Sequence, residues 1–157
     1  MRKRLIGHGP REVETAEPGW LDLDLVAQVE VTSEDAGCPI ESALLPGTGL
    51  GWRAAQPGEQ LIRLWFDEPR SLRRIHLRFH EGEQERTQEF VLRWSADGGQ
   101  SYREILRQHF NFSPPGTTRE VEDYEINLDG VTVLELKIVP DISAGRAHAS
   151  LAQLRLA

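Results

Sequence analysis

Ile75-His76-Leu77-Arg78-Phe79-His80 alternates apolar and polar side chains without a break. Successive side chains of a β-strand point to opposite faces, so Ile75, Leu77 and Phe79 share one face and His76, Arg78 and His80 the other. A helical period would scatter the three apolar residues around an axis. One dry face and one wet face describe a strand of an antiparallel sheet packed on a single side.

The same period recurs in both directions. Upstream, Leu61-Ile62-Arg63-Leu64-Trp65-Phe66 sets Ile62, Leu64 and Phe66 on one face and Arg63 on the other. Earlier still, Leu21, Leu23 and Leu25 alternate with Asp22 and Asp24, and Val29 and Val31 flank Glu30. Downstream, Phe90-Val91-Leu92-Arg93-Trp94 runs into the turn signal Asp97-Gly98-Gly99, and residues 102–112 follow. Tyr124, Ile126 and Leu128 alternate with Glu125 and Asn127. Gly130 marks a short turn into Leu134, Leu136 and Ile138, and Leu154 and Leu156 close the chain around Arg155. The pattern predicts an all-β fold: an antiparallel β-sandwich of the jelly-roll type with about eight strands in two packed sheets. Leu64, Leu77 and Leu136 belong to its core. Residues 33–59 and 112–120, rich in Gly and Pro, read as long loops, and the polar run 81–89 admits at most a helical turn.

The chain has 157 residues, enough for one domain with its own core; residues 1–19 read as an extended arm before a domain spanning 20–157. Its formal net charge of -7 repels phosphate backbones and anionic lipid, so neither nucleic acid nor membrane is an expected partner. Cys38 stands alone, which excludes an internal disulfide. The basic start at Arg2-Lys3-Arg4 has no apolar run behind it, so a cytoplasmic location is the expectation.

Phe90-Val91-Leu92-Arg93-Trp94-Ser95-Ala96-Asp97-Gly98-Gly99-Gln100-Ser101-Tyr102 combines an aromatic-led strand, a Ser-x-Asp-Gly turn and an aromatic opening the next strand. This run resembles the discoidin, or coagulation-factor type C, domain of the galactose-binding-domain-like group. In that reading Asp97-Gly98 makes the turn and Tyr102 returns into the core. Trp52 ahead of Pro57-Gly58-Glu59-Gln60, Phe66-Asp67-Glu68-Pro69, and the closing Ala149-Ser150-Leu151-Ala152-Gln153-Leu154-Arg155-Leu156 follow the same order. The match runs from about Asp24 to Leu156. The resemblance implies a non-catalytic, carbohydrate-binding module whose site lies on loops at one end of the sandwich.

A sugar site needs an aromatic face for the ring and planar polar groups for its hydroxyls. The candidates are Trp52 and Arg53, His80 and Arg86 around one turn, His109, Phe110 and Asn111, and Arg146 with His148. Phe110, Asn111 and Arg146 suit the task if they converge. The competing reading has Trp52 and Phe110 plugging the sandwich ends while Arg53 and Arg86 brace loops. For a cation, Glu34, Asp35 and Glu41 in the first long loop have the oxygen chemistry of a structural calcium, which some members of the resembled family hold there. No other cofactor is expected. His76 and His80 lie about 13 Å apart along one strand face, too far to share an ion.

Catalysis has thin support. Glu81, Glu83, Glu85 and Glu89 form a crowded run rather than a separated acid and base, and read as a solvated turn. Gly47-Thr48-Gly49-Leu50-Gly51 lacks the spacing and the following helix of a phosphate loop. Two functions remain: binding of a carbohydrate or other small polar ligand, or a protein partner or self-assembly using outward apolar residues such as Trp65 and Val91. A hydrolase ranks last.

Overall fold

Two strands of 21 residues each, β3 (Gln60–His80) and β6 (Arg119–Val139), form the spine of the molecule and pair antiparallel along their length. In the computed structural model, residues 19–47, 49–143 and 145–157 are described. The other elements are α1 (Leu23–Val26), β1 (Ala27–Val31), α2 (Glu41–Leu44), β2 (Trp52–Pro57), β4 (Arg86–Ser95), β5 (Arg103–Phe112), β7 (His148–Leu151) and β8 (Gln153–Leu156).

The spine strand β3 changes phase midway. In β3, Ile62, Leu64 and Phe66 point inward at even positions, but Ile75, Leu77 and Phe79 do so at odd ones. The register slips between Trp65 and Arg74 absorb that change. A single extra residue in a strand turns every later side chain to the opposite face, so the slips keep both halves dry on the inside. β6 keeps its inward residues at even positions on both sides of Gly130, which has φ +70, a backbone that glycine takes without strain. The expected turn at Gly130 between two strands is therefore a kink within one.

The halves feed two layers. The first has the order β1-β3-β6-β4-β5, and in the second β8 joins the later half of β3 and the early half of β6. The layers face each other: Phe79 of β3 stacks on Phe90 of β4 with centroids 5.3 Å apart. Between them lies one apolar core that includes Leu64, Leu77 and Leu136, each at most 2% exposed. The pair β2-β7 lies apart as its own small sheet, with Trp52 and Leu151 buried. This is the expected eight-stranded antiparallel sandwich.

The outer face of the first layer is polar in an ordered way. Glu30, Arg63, Glu135, Arg93 and Glu104 face one another across five adjacent strands, alternating in charge. Glu135 is fully buried there, bonded by Arg63 Nε at 2.7 Å and by the Arg93 guanidinium. That contact is the first cause raising the Arg63 guanidinium above its ordinary value. Arg93 lies 5.0 Å over the Tyr102 ring, and a Cβ on Gly99 would meet the Trp65 ring at 3.0 Å.

Three local expectations are corrected by this packing. Tyr102 does not enter the core; it covers the charged row from outside. Val91 is only 2% exposed and Trp65 is half-buried with its indole N–H on Glu30, so neither is a free apolar surface. The alternation at 21–25 is not a strand: Asp22 caps α1 by accepting from Asp24 N at 3.1 Å, and Leu25 is exposed. Within residues 81–85 there is a bend rather than a helical turn. Residues 1–18 of the expected arm lie outside the described residues. Trp20, just after it, lies under the Arg74 guanidinium at 4.6 Å.

Candidate functional site

One end of the sandwich holds polar side chains where the alternation demands apolar ones. On β4 the inward positions are 86, 88, 90 and 92, so Arg86 and Gln88 point into the interior in line with Phe90 and Leu92. On β6 the inward positions 120, 122, 124, 126 and 128 bring Glu120, Glu122 and Tyr124 into phase with Ile126 and Leu128. The two rows approach across the layers.

Their connections begin at the turn. Glu81 N donates to Thr118 O at 2.8 Å, and Glu81 Oε2 accepts from the N–H groups of Glu83 and Gln84 at 2.9 and 3.1 Å. Glu81 Oε1 accepts from Arg86 Nε at 2.7 Å. Burial works to raise the Glu81 carboxyl, but Arg86 and those two N–H groups hold it below its ordinary value. Arg86 Nη1 donates to Pro140 O at 2.7 Å and to Gln88 Oε1 at 3.1 Å, and the guanidinium lies 4.7 Å over the Phe112 ring. Gln88 Nε2 then donates to Glu120 Oε1 at 3.2 Å. A single amide thus holds both Arg86 and Glu120.

Three buried polar atoms along this row make no well-formed hydrogen bond, Arg86 Nη2, Glu120 Oε2 and the Tyr124 hydroxyl, although the Glu122 carboxyl lies close enough to act on both Glu120 and Tyr124. Orphaned buried donors and acceptors are rare and costly, so a group of them marks a place where a water or a ligand can bind. Burial and the neighbouring Glu122 push the Glu120 carboxyl up to about 8. Burial, then Glu122, also raises the Tyr124 phenol. Near neutrality Glu120 therefore keeps a proton, giving the row a second donor as well as acceptors.

The row lies beside two sheet edges, although Gln88, Glu120 and Arg86 themselves are 0%, 1% and 4% exposed. β5 ends the first layer, and the early half of β6 pairs only with β3 among the described residues. Phe110, Tyr124, Ile126 and Leu128, on the inner faces of these two edges, are only partly buried. Phe110 packs edge-on against Phe112 at 4.9 Å.

The residues expected to make the site divide among several places. Arg86 and Phe110 belong to this row. His80 is exposed at the end of β3. His109 and Asn111 sit on the opposite face of β5 from Phe110: His109 Nε2 lies 2.6 Å from Glu89 Oε2, and Asn111 Oδ1 accepts from Thr87 Oγ1 at 2.6 Å. The Phe110–Asn111 convergence therefore fails, because neighbours on a strand cannot share a face. Trp52 is buried with its indole N–H on Ser33 O at 3.1 Å, Arg53 is exposed, and His148 Nδ1 lies 3.0 Å from Ala54 O. These three belong to the β2-β7 pair. Arg146 is exposed in the loop between β6 and β7.

The calcium set is also corrected. Glu34 Oε1 accepts from Ile40 N at 2.7 Å and Asp35 Oδ1 from Gly37 N at 3.0 Å, so both carboxylates shape their own loop. Glu41 lies in the first turn of α2. Among the described residues, no three His, Cys, Asp or Glu side chains are placed to hold a metal ion.

Gln88, Glu120, Glu122 and Tyr124 were not among the expected residues. Their signal was present in the sequence: polar groups standing at core-phase positions of two strands.

No protein-family model matches the chain, and no curated protein matches its sequence. Solved structures do match its fold. The family 32 carbohydrate-binding module of C. perfringens NanJ, in complex with galactose, is 16% identical with a TM-score of 0.59, covering 83% of this chain and 92% of that one. A pectin-binding module is 16% identical with a TM-score of 0.61, over 83% and 89%. Chitosan-binding module 1 of a Paenibacillus chitosanase/glucanase is 15% identical with a TM-score of 0.61, over 86% and 97%. At such identities the likeness establishes architecture: the chain shares the antiparallel β-sandwich fold of these modules.

Proposed function

We propose that this protein is a non-catalytic carbohydrate-binding module whose ligand engages the row Arg86, Gln88, Glu120, Glu122 and Tyr124 beside the Phe110 edge. The observation that carries the reading is the set of three orphaned buried polar atoms on that row. They combine a guanidinium N–H, a carboxyl oxygen and a phenol, the mixed donors and acceptors that a hydroxyl group satisfies. Solved structures of the same fold include complexes with galactose and with 4,5-unsaturated mannuronic acid, which gives a saccharide precedence as the guest.

Calorimetric titration with a panel of mono- and disaccharides tests it. Binding is expected, weakened about five- to tenfold by Tyr124→Phe, which removes one hydroxyl and leaves the ring packing intact. Saccharide binding that Tyr124→Phe leaves unchanged would move the site elsewhere, and no binding to any saccharide would remove the reading. Protein partnership has less support. The large exposed apolar residues Leu25, Leu50, Val121 and Ile142 come from four separate segments.

A further inference from the structure

Counting charge along the interior row sharpens the ligand class. Glu81, Glu120 and Asp141 lie around a single cation, Arg86, whose charge acts on all three, and Glu122 lies beside Glu120. Arg86 is already committed: its Nε binds Glu81, and its Nη1 binds Pro140 O and Gln88 Oε1. The neighbouring His80 and Arg119 occupy outward positions of β3 and β6 and are exposed. Phe79, opposite Glu120 on β3, and Leu77, opposite Glu122, bring no charge. Phe110, opposite Gln88 on β5, brings none either. Among the described residues, no ion pair reaches Glu120 or Glu122. Glu120 is 1% exposed with Oε2 unpartnered, and Arg86, 4% exposed, keeps Nη2 free on the far side of the same Gln88 amide.

We infer that the guest is an amino sugar, its ammonium group set against Glu120 and Glu122 and a neighbouring hydroxyl oxygen accepting from Arg86; this rests on the carbohydrate reading above. A buried carboxylate beside a second, partly buried one and without an ion-pair partner is unfavourable, and here a retained proton relieves it. An ammonium group supplies the missing charge and displaces that proton, while the orphaned guanidinium N–H requires an acceptor close by. A uronic acid would add a carboxylate to a row that already holds a surplus, so the same charges select against it.

Calorimetry of the intact chain with glucosamine, N-acetylglucosamine, galactose and galacturonic acid decides the matter. It is run near neutral pH in two buffers of different ionisation heat. Glucosamine is expected to bind at least about tenfold more tightly than N-acetylglucosamine and to release a proton. Glu120→Gln and, separately, Glu122→Gln are expected to bring that preference close to unity while far-UV circular dichroism stays unchanged. Equal or tighter binding of N-acetylglucosamine or galactose, the absence of proton release, or a preference unmoved in a folded variant overturns the amine assignment and leaves the carbohydrate reading standing. If no saccharide binds, both fall.

Discussion

A carboxyl group at an inward position of a strand can escape the cost of burial by pairing with a cation or by keeping its proton. Glu81 takes the first course against Arg86, and Glu120 the second. The second has a thermodynamic consequence. Between the ordinary value of 4.5 and about 8 the folded chain holds a proton at Glu120 that the unfolded chain has released. Stability therefore declines with rising pH across that window, by at most about 1.4 kcal/mol per unit from this residue, and levels off above it. Glu120→Gln mimics the protonated acid and cannot ionise. Urea unfolding is expected to show it more stable than wild type by on the order of 3 kcal/mol near the top of the window, and equal to wild type near its bottom. A wild-type and variant difference that is flat with pH would contradict the assigned proton. Arg86 was legible as a bracing residue. Glu120 stood at a core-phase position, but its pairing was not legible, because its partner Gln88 lies 32 residues away on another strand.

At the scale of the strands, the charged row on the outer face separates what local pattern reveals from what pairing decides. Alternation already places Arg63, Arg93 and Glu135 on outward positions. Only the register brings Glu135 between the two arginines, where it becomes inaccessible to water. Its removal leaves like charges facing across β6. The expected cost of Glu135→Ala is about 2 to 3 kcal/mol, discounted because both guanidinium groups remain more than a third exposed. Glu104, at the end of the row and half exposed, is expected to cost under about 0.5 kcal/mol on the same change. Parallel urea titrations compare the two. Similar losses at both positions would refute the buried character of the row. The 21–25 segment shows the reverse failure: Leu21, Leu23 and Leu25 alternate, but a local Asp22 cap competes successfully with the sheet.

For the molecule as a whole, β3 and β6 each run through both layers, so neither layer keeps its pairing when the other is lost. Unfolding is expected to be a single transition, with tryptophan fluorescence and far-UV circular dichroism giving the same urea midpoint; separated midpoints would contradict it. Period-two alternation determined the fold class and the core leucines, because burial of one strand face needs only the residues of that strand; it did not delimit the strands, since β3 and β6 each join two expected ones and β2 lies in the expected loop 33–59. The assembly of the polar row needed the tertiary structure. Arg86, Gln88 and Glu120 meet through a phase shift in β3, a kink at Gly130 and the facing of two layers, all of which depend on contacts between segments far apart in the chain.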